Sequence, residues 1–282
     1  MQKQVLVSII TPSYNHARFI EDAILSVKNQ NYPYIEHIIV DGGSTDETLQ
    51  ILKKYQDTYG MKWLSERDKG AADAINKGFD LAKGEIVGIL SSDDTYLTHG
   101  AVSRIESLFR EYKKVHVVAA RGVWMDENGY WIKAYGAPKA KISYEYLKFA
   151  NSALQPATFF RREVVKKEQH DISFHYAFDW DLIIRIAQKY NILPINDIIG
   201  GFRLQGDNKT LVGREKRVAE MAEIVKRHGG KYSWQYLIVL FYYYCCKIAS
   251  FFPQPIRKII ERGIKWVSIL LNSFSHGRIT SI

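Results

Sequence analysis

Residues 84–96 read GEIVGILSSDDTY. Glu85 to Leu90 reads as a strand, its apolar part rich in branched side chains, the composition of a strand buried on both faces. It stops abruptly on two serines and two adjacent acids, Asp93 and Asp94. Two further runs behave alike: Ile35 to Val40 stops at Asp41 in DGGSTDET, and VLVSII (5–10) stops at Thr11-Pro12-Ser13. Between them, Phe19, Ile20, Ala23, Ile24 and Val27 recur at three- and four-residue spacing, with acids early and Lys28 late, as an amphipathic helix requires. Asp46 is placed to cap a second helix running to about Tyr55. Residues 61–65 form a short strand, and Ala71 to Ala82 a helix closed by Lys83-Gly84. Strands alternating with helices predict an α/β fold: a mostly parallel central sheet flanked by helices. Such sheets bind ligands in the crevice beyond the carboxyl ends of their strands.

Further along, residues 115–135 read as strands joined through a turn at Glu127-Asn128-Gly129. Residues 176–190 return to helix and 192–204 to strand. The expected organisation is an α/β domain over 1–210, a helical connector over 211–231 and a distinct C-terminal region over 232–282. In that last region WQYLIVLFYYYCC (234–246) carries no charge, but it is shorter than the roughly 20 apolar residues a spanning helix needs. After Pro255, Ile256, Ile260, Ile264, Val267 and Leu271 fall on one stripe, and Lys258, Arg262 and Lys265 on another. A basic amphipathic helix with an interfacial Trp266 lies on a membrane surface; the plain alternative is packing on its own domain, or a homodimer contact.

The 282 residues carry a net charge of +9, which favours an anionic partner such as a phosphorylated ligand or an anionic membrane. Nucleic acid is disfavoured, because carboxylates at strand ends would repel a phosphate backbone. The only cysteines, Cys245 and Cys246, are adjacent, which rules out a disulfide framework and a CxxC metal pair and points to a reducing compartment. His170 and His175 read as solvated loop residues. No GxGxxG follows the first strand and no GxxxxGK[ST] occurs, so dinucleotide and P-loop readings are weak.

If the sheet is parallel, Asp41 and the Asp93-Asp94 pair share one edge. Adjacent carboxylates are costly together unless a cation neutralises them. Mg²⁺ or Mn²⁺ suits one or two carboxylates plus diphosphate oxygens. The rival reading of the pair is a helix cap. Asp179 and Asp181 form a third acidic site at the head of a helix, in AFDWDL.

Five segments together carry a family resemblance: VSIITPSYN (7–15), IIVDGGSTDET (38–48), SERDKGAADAINKG (65–78), GEIVGILSSDDTY (84–96) and FDWDLIIRIA (178–187). In order and approximate spacing the chain resembles family 2 of the inverting glycosyltransferases, with the GT-A fold, and among them enzymes assembling bacterial exopolysaccharide, O-antigen and colanic acid. The resemblance implies hexosyl transfer from a nucleotide-diphospho-sugar, UDP-linked by preference and otherwise GDP- or dTDP-linked, to a lipid-linked saccharide. It places the enzyme in the cytoplasm, peripherally associated with the inner face of the membrane. Thr11, Pro12, Tyr14 and Asn15 would line the nucleotide pocket, Asp41 would bond base or ribose, and Asp68 and Asp73 would lie near the donor.

Ser91 stands where the family's DxD-like metal motif has its first acid, which leaves Asp93 for the sugar and Asp93 with Asp94 for a divalent metal. Asp179 matches the catalytic base, with Phe178 in place of the acid usually preceding it, and Asp181 as its rival. Arg203 and Gln205 fall where members place a basic residue or histidine near the diphosphate. A nucleotidyltransferase is the alternative reading, but TPSYN offers no Gly-rich basic loop for a triphosphate.

Overall fold

The first apolar run forms β1 (Val7–Ser13), buried at every position. It pairs in parallel with β2 (Ile35–Asp41) on one side and β4 (Ile86–Ile89) on the other, and β2 pairs in parallel with β3 (Lys62–Ser65). The crossovers are α1 (Ile20–Lys28), α2 (Thr48–Tyr59) and α3 (Ala71–Leu81). Helices cover both faces. Ile39 joins a cluster with Ile20, Ile24, Leu52 and Tyr55 of α1 and α2. From the other face of β1, the Ile10 side chain fills the space a Cβ at Gly78 of α3 would need. Glu47, not Asp46, holds the N-cap position of α2; Asp46 stands one residue earlier and accepts from the Thr48 N–H at 3.0 Å, and the helix continues one turn past Tyr55 to Gly60, whose φ of 72° suits glycine.

The structure is a computed structural model that describes residues 4–136, 142–148, 151–206 and 214–229, with a few isolated positions beyond. It divides into two compact units, Met1–Asn208 and Lys209–Ile282.

Past β4 the sheet becomes mixed. β5 (Thr95–Tyr96), α4 (Ala101–Glu111), β6 (Val117–Met125), β7 (Trp131–Gly136), α5 (Tyr144–Leu147), β8 (Thr158–Arg161), α6 (Arg162–Lys167), α7 (Phe178–Lys189) and β9 (Ile192–Arg203) complete the first unit. Strand order is β3-β2-β1-β4-β8-β6-β9-β5, with β7 paired to β6. The expected parallel sheet is present in β3-β2-β1-β4. β8 then enters antiparallel between β4 and β6, and β6 and β9 run parallel.

β8 is four residues long and fastens the two halves of the sheet. Its Phe159 is fully buried and stacks on Tyr96 at 5.8 Å. A Cβ at Gly88 of β4 would sit 2.6 Å from the Phe159 ring, so glycine is what lets the aromatic ring cross the seam.

The second unit contains α8 (Arg214–Gly229), which buries Val218, Ala222, Ile224 and Val225. Among the described residues no helix is long and apolar enough to cross a membrane. The amphipathic region expected over 232–282 lies outside the described residues, apart from isolated positions.

Phe159→Ala should cost about 3–5 kcal/mol, the range for truncating a buried aromatic. Chemical denaturation read by circular dichroism checks this. A loss under about 1 kcal/mol would mean that β8 is not a seam.

Candidate functional site

The carboxyl ends of β1, β2 and β4 meet along one edge. Ser13 is in register with Asp41, the Ser92 N–H donates to the Pro12 carbonyl at 3.3 Å, and His16 Nδ1 lies 2.6 Å from Ser92 Oγ. Three segments distant in sequence thus form one rim.

Asp41 is fully buried. Its carboxylate accepts from the Gly43 N–H (3.0 Å), the Ser44 N–H (2.8 Å), Ser44 Oγ (2.5 Å) and Ser65 Oγ (2.6 Å). Four donors occupy both oxygens, so Asp41 shapes the 42–44 turn and offers a ligand no exposed surface. The turn reaches across to the β1 loop: the Asn15 N–H donates to Ser44 Oγ, and Asn15 Oδ1 accepts from the Thr45 N–H. Asn15 holds φ at 51°, a left-handed conformation asparagine tolerates.

The other residues expected at the nucleotide are placed unequally. Thr11 is fully buried, with Oγ1 2.9 Å from His37 Nε2, so it belongs to the sheet interior. Pro12 is buried in β1. Tyr14, by contrast, is 57% exposed at the rim. Asp68 accepts from the Gly70 N–H at 2.8 Å and lies against Gly42, where a Cβ would come within 2.6 Å of its Oδ2. Asp73 accepts from the Lys69 N–H at 3.0 Å and lies 3.7 Å from Lys77.

The acidic pair sits where β4 ends. Asp94 is 1% exposed and Asp93 8%. Burial, and secondarily the neighbouring Asp93, push the Asp94 carboxyl well above the ordinary carboxylate range. Asp94 Oδ1 accepts from the Arg203 N–H at 3.0 Å, while its buried Oδ2 has no partner.

Arg203 does not face the rim as expected for a diphosphate contact. It is 3% exposed, and its guanidinium donates to the carbonyls of Asp93 (2.8 Å) and Glu127 (2.9 Å) and to Asp22 Oδ2 (2.8 Å). It is a brace behind the acids. Gln205 is nearer the chemistry, donating to Asp93 Oδ2 at 3.2 Å. Among the described residues no three or more His, Cys, Asp or Glu side chains gather as a metal-holding group. Two carboxylates with one buried, unpartnered oxygen nonetheless suit a divalent cation whose remaining ligands come from diphosphate and water.

Asp179 opens α7. With Ile89, Ala153, Gln155, Thr158, Phe160, His170, Leu182 and Ile183 it lines a small pocket. Gln155 Nε2 lies 3.2 Å from Ser91 Oγ, which connects this pocket to the acidic rim. The residue is partly exposed, yet its carboxyl is surrounded by apolar side chains. This desolvation raises it to about 6, against hydrogen bonds from the chain that include Asn151 Nδ2 at 2.9 Å.

Asp181 is placed differently. It is fully buried, its Oδ2 accepts from Arg185 Nε at 2.8 Å, and the same guanidinium reaches Glu168 at 3.0 Å. This ion pair commits Asp181 to the helix.

His170, expected on a solvated loop, is 5% exposed. It stacks on Phe79 at 5.6 Å, and its backbone N–H donates to Asn76 Oδ1 at 2.8 Å. Burial lowers its ring to about 4, so it is neutral at pH 7.

The model for "Glycosyl transferase family 2" matches residues 8–177. The chain belongs to glycosyl transferase family 2. This glycosyltransferase is 28% identical over 183 residues to a PGL/p-HBAD biosynthesis glycosyltransferase of Mycobacterium bovis, covering 64% of this chain and 69% of the relative. It is 29% identical over 237 residues to chondroitin synthase of Escherichia coli, covering 82% of this chain and 34% of that enzyme, so polysaccharide synthesis is among its relatives' roles. Its fold is that of S. aureus TarS in complex with UDP-GlcNAc, with a TM-score of 0.65 at 16% identity over 98% of this chain and 93% of the other. The mannosyltransferase PcManGT of Pyrobaculum calidifontis, in complex with GDP-Man and Mn²⁺, matches with a TM-score of 0.64 at 17% identity over 96% and 85%. The fold is therefore GT-A, and family membership removes the nucleotidyltransferase alternative.

Three residues of this site carried no sequence signal, His16, Asn151 and Gln155, and neither did the bracing role of Arg203. Each acts through a contact between distant loops.

Asp41→Asn would replace one acceptor oxygen by an N–H₂ group facing donors. The expected cost is about 3 kcal/mol, the loss of one to two charge-assisted hydrogen bonds. Thermal denaturation measures it. Unchanged stability would refute the scaffolding role.

Proposed function

We propose that this glycosyltransferase moves a hexose from a nucleotide-diphospho-sugar to a saccharide hydroxyl with inversion, using Asp179 as the general base. The observation that carries the reading is the Asp179 carboxyl, held by Asn151 in a pocket that Gln155 joins to the Ser91–Asp94 rim. A base must be ionised at working pH and still basic enough to take a proton. A carboxyl raised to about 6 meets both conditions near pH 7.

The acceptor hydroxyl gives its proton to Asp179 while its oxygen attacks the anomeric carbon. The bond to the nucleoside diphosphate breaks on the opposite side. One base and one displacement invert the anomeric centre. Asp93 and Asp94 would hold a Mg²⁺ or Mn²⁺ ion, which as a Lewis acid stabilises charge on the departing diphosphate. Tyr14 offers an exposed ring to the nucleotide base, and Asn15 with the 42–44 turn supports the ribose side. Asp68 lies beside that turn, toward the donor. Holding both substrates in one crevice supplies much of the remaining acceleration.

A UDP-linked donor is favoured, since TarS is seen with UDP-GlcNAc, with GDP- and dTDP-sugars as the alternatives. The acceptor is read as lipid-linked. The support is the basic, aromatic sequence of residues 232–282, which would hold the enzyme peripherally at the inner face of the membrane.

Three outcomes test this. A screen of UDP-, GDP- and dTDP-sugars with Mn²⁺, with product detected by mass, should find one donor class consumed; consumption of none sinks the reading. Asp179→Asn should lower kcat by about 10²–10⁴-fold, the scale of general-base catalysis, with donor affinity retained. Because only ionised Asp179 is active, kcat/KM should be level above pH 7 and fall about tenfold per unit below its pKa of about 6. An acid limb absent down to pH 5 would remove Asp179 from the role.

A further inference from the structure

The β6–β7 ribbon brings Tyr135 to Asn151, the residue that holds Asp179. Gly122 is in register with Tyr135, and Trp124 with Lys133, so Trp124 and Tyr135 project from the same face of the ribbon. Their rings lie 5.1 Å apart, tilted by 31°. Tyr135 packs inward against the main core cluster, and its hydroxyl donates to the Asn151 carbonyl at 2.9 Å. The Asn151 side chain in turn holds Asp179 Oδ2 at 2.9 Å. A continuous chain of contacts therefore runs from the indole to the carboxylate.

Trp124 is the outer member of this chain. It is partly exposed. Its cross-strand neighbours are Lys133 on β7 and Phe202 on β9. A half-open indole, joined through Tyr135 to the residue that positions a base, offers its face to a ligand with an apolar face and peripheral hydroxyls. A pyranose ring has both: its axial C–H bonds meet the electron-rich ring face, and its hydroxyls can accept from the indole N–H.

We infer that Trp124 is the acceptor platform: the acceptor's pyranose ring stacks on its indole, and the adjoining hydroxyl reaches Asp179. This rests on the glycosyl-transfer reading above and names the surface that reading leaves open. In that reading the donor takes Tyr14, Asn15 and Asp93. Trp124 is thus a determinant of acceptor binding that leaves the donor untouched. Tyr135 and Asn151 link platform and base: the Asn151 carbonyl takes the Tyr135 hydroxyl and its side chain holds the carboxylate.

The test uses the full chain with Mn²⁺, the donor found in the screen and a pool of octyl β-glycosides of glucose, galactose and N-acetylglucosamine as acceptor probes. Trp124→Ala should raise acceptor KM by at least tenfold, leaving donor KM and the slow hydrolysis of donor by water within twofold. Trp124→Phe, which keeps an aromatic face and the ribbon's packing, should recover most of the affinity. In the wild-type protein the probes should also change tryptophan fluorescence, and that change should vanish in Trp124→Phe. The second measurement decides the matter if Trp124→Ala does not fold. Unchanged acceptor KM in Trp124→Ala, or a fluorescence response that survives in Trp124→Phe, overturns the platform while the glycosyltransferase reading stands. A wild-type protein that consumes no donor, with or without acceptor, overturns both.

Discussion

Burying a carboxylate is expensive unless the chain supplies donors, and this constraint organises the rim of the sheet. Asp41 is fully buried at the end of β2, and four donors drawn from residues 43, 44 and 65 converge on it. Meeting that demand folds the 42–44 turn toward β3 and brings Ser44 to the Asn15 amide. This part of the rim is thus shaped by a residue that offers a ligand no exposed surface. The same constraint acts at Asp181, where Arg185 and Glu168 complete a buried ion network and fix the start of α7. Asp179, two residues earlier, is set in place by this anchored helix.

The acidic pair is treated differently. Arg203 spends its guanidinium on the Asp93 and Glu127 carbonyls and on Asp22, and its backbone N–H on Asp94, yet Asp94 Oδ2 is left buried and unpartnered. Where Asp41 is saturated, the pair is held in position and left short of donors. That asymmetry separates a saturated structural carboxylate from a pair with an acceptor left open, and it follows from hydrogen-bond accounting rather than from sequence position.

Much of the fold was legible in the sequence. Period and punctuation located β1 to β4 and α1 to α3 closely, because a parallel sheet buried on both faces demands unbroken apolar runs and because helix faces repeat every three to four residues. The acids at strand ends were legible for the same reason: a charged residue directly after a buried run must mark the edge. β8 was not. TFFR is four residues long, and it is a strand only because β4 and β6 leave a slot between them with Gly88 making room for Phe159. His170 was misread because its surroundings, Phe79 and Asn76, come from α3 about ninety residues earlier.

The sequence by itself determined the α/β class, the family and the candidate acids, since these depend on local period and on motifs carried in single segments. Only the tertiary structure decided what each acid does. It saturates Asp41, ties Asp181 to Arg185, leaves Asp94 short of a partner and places Asp179 among apolar side chains with one amide to hold it. A carboxylate's role is set by the dielectric and the donors around it, and those arrive from parts of the chain that no local pattern connects.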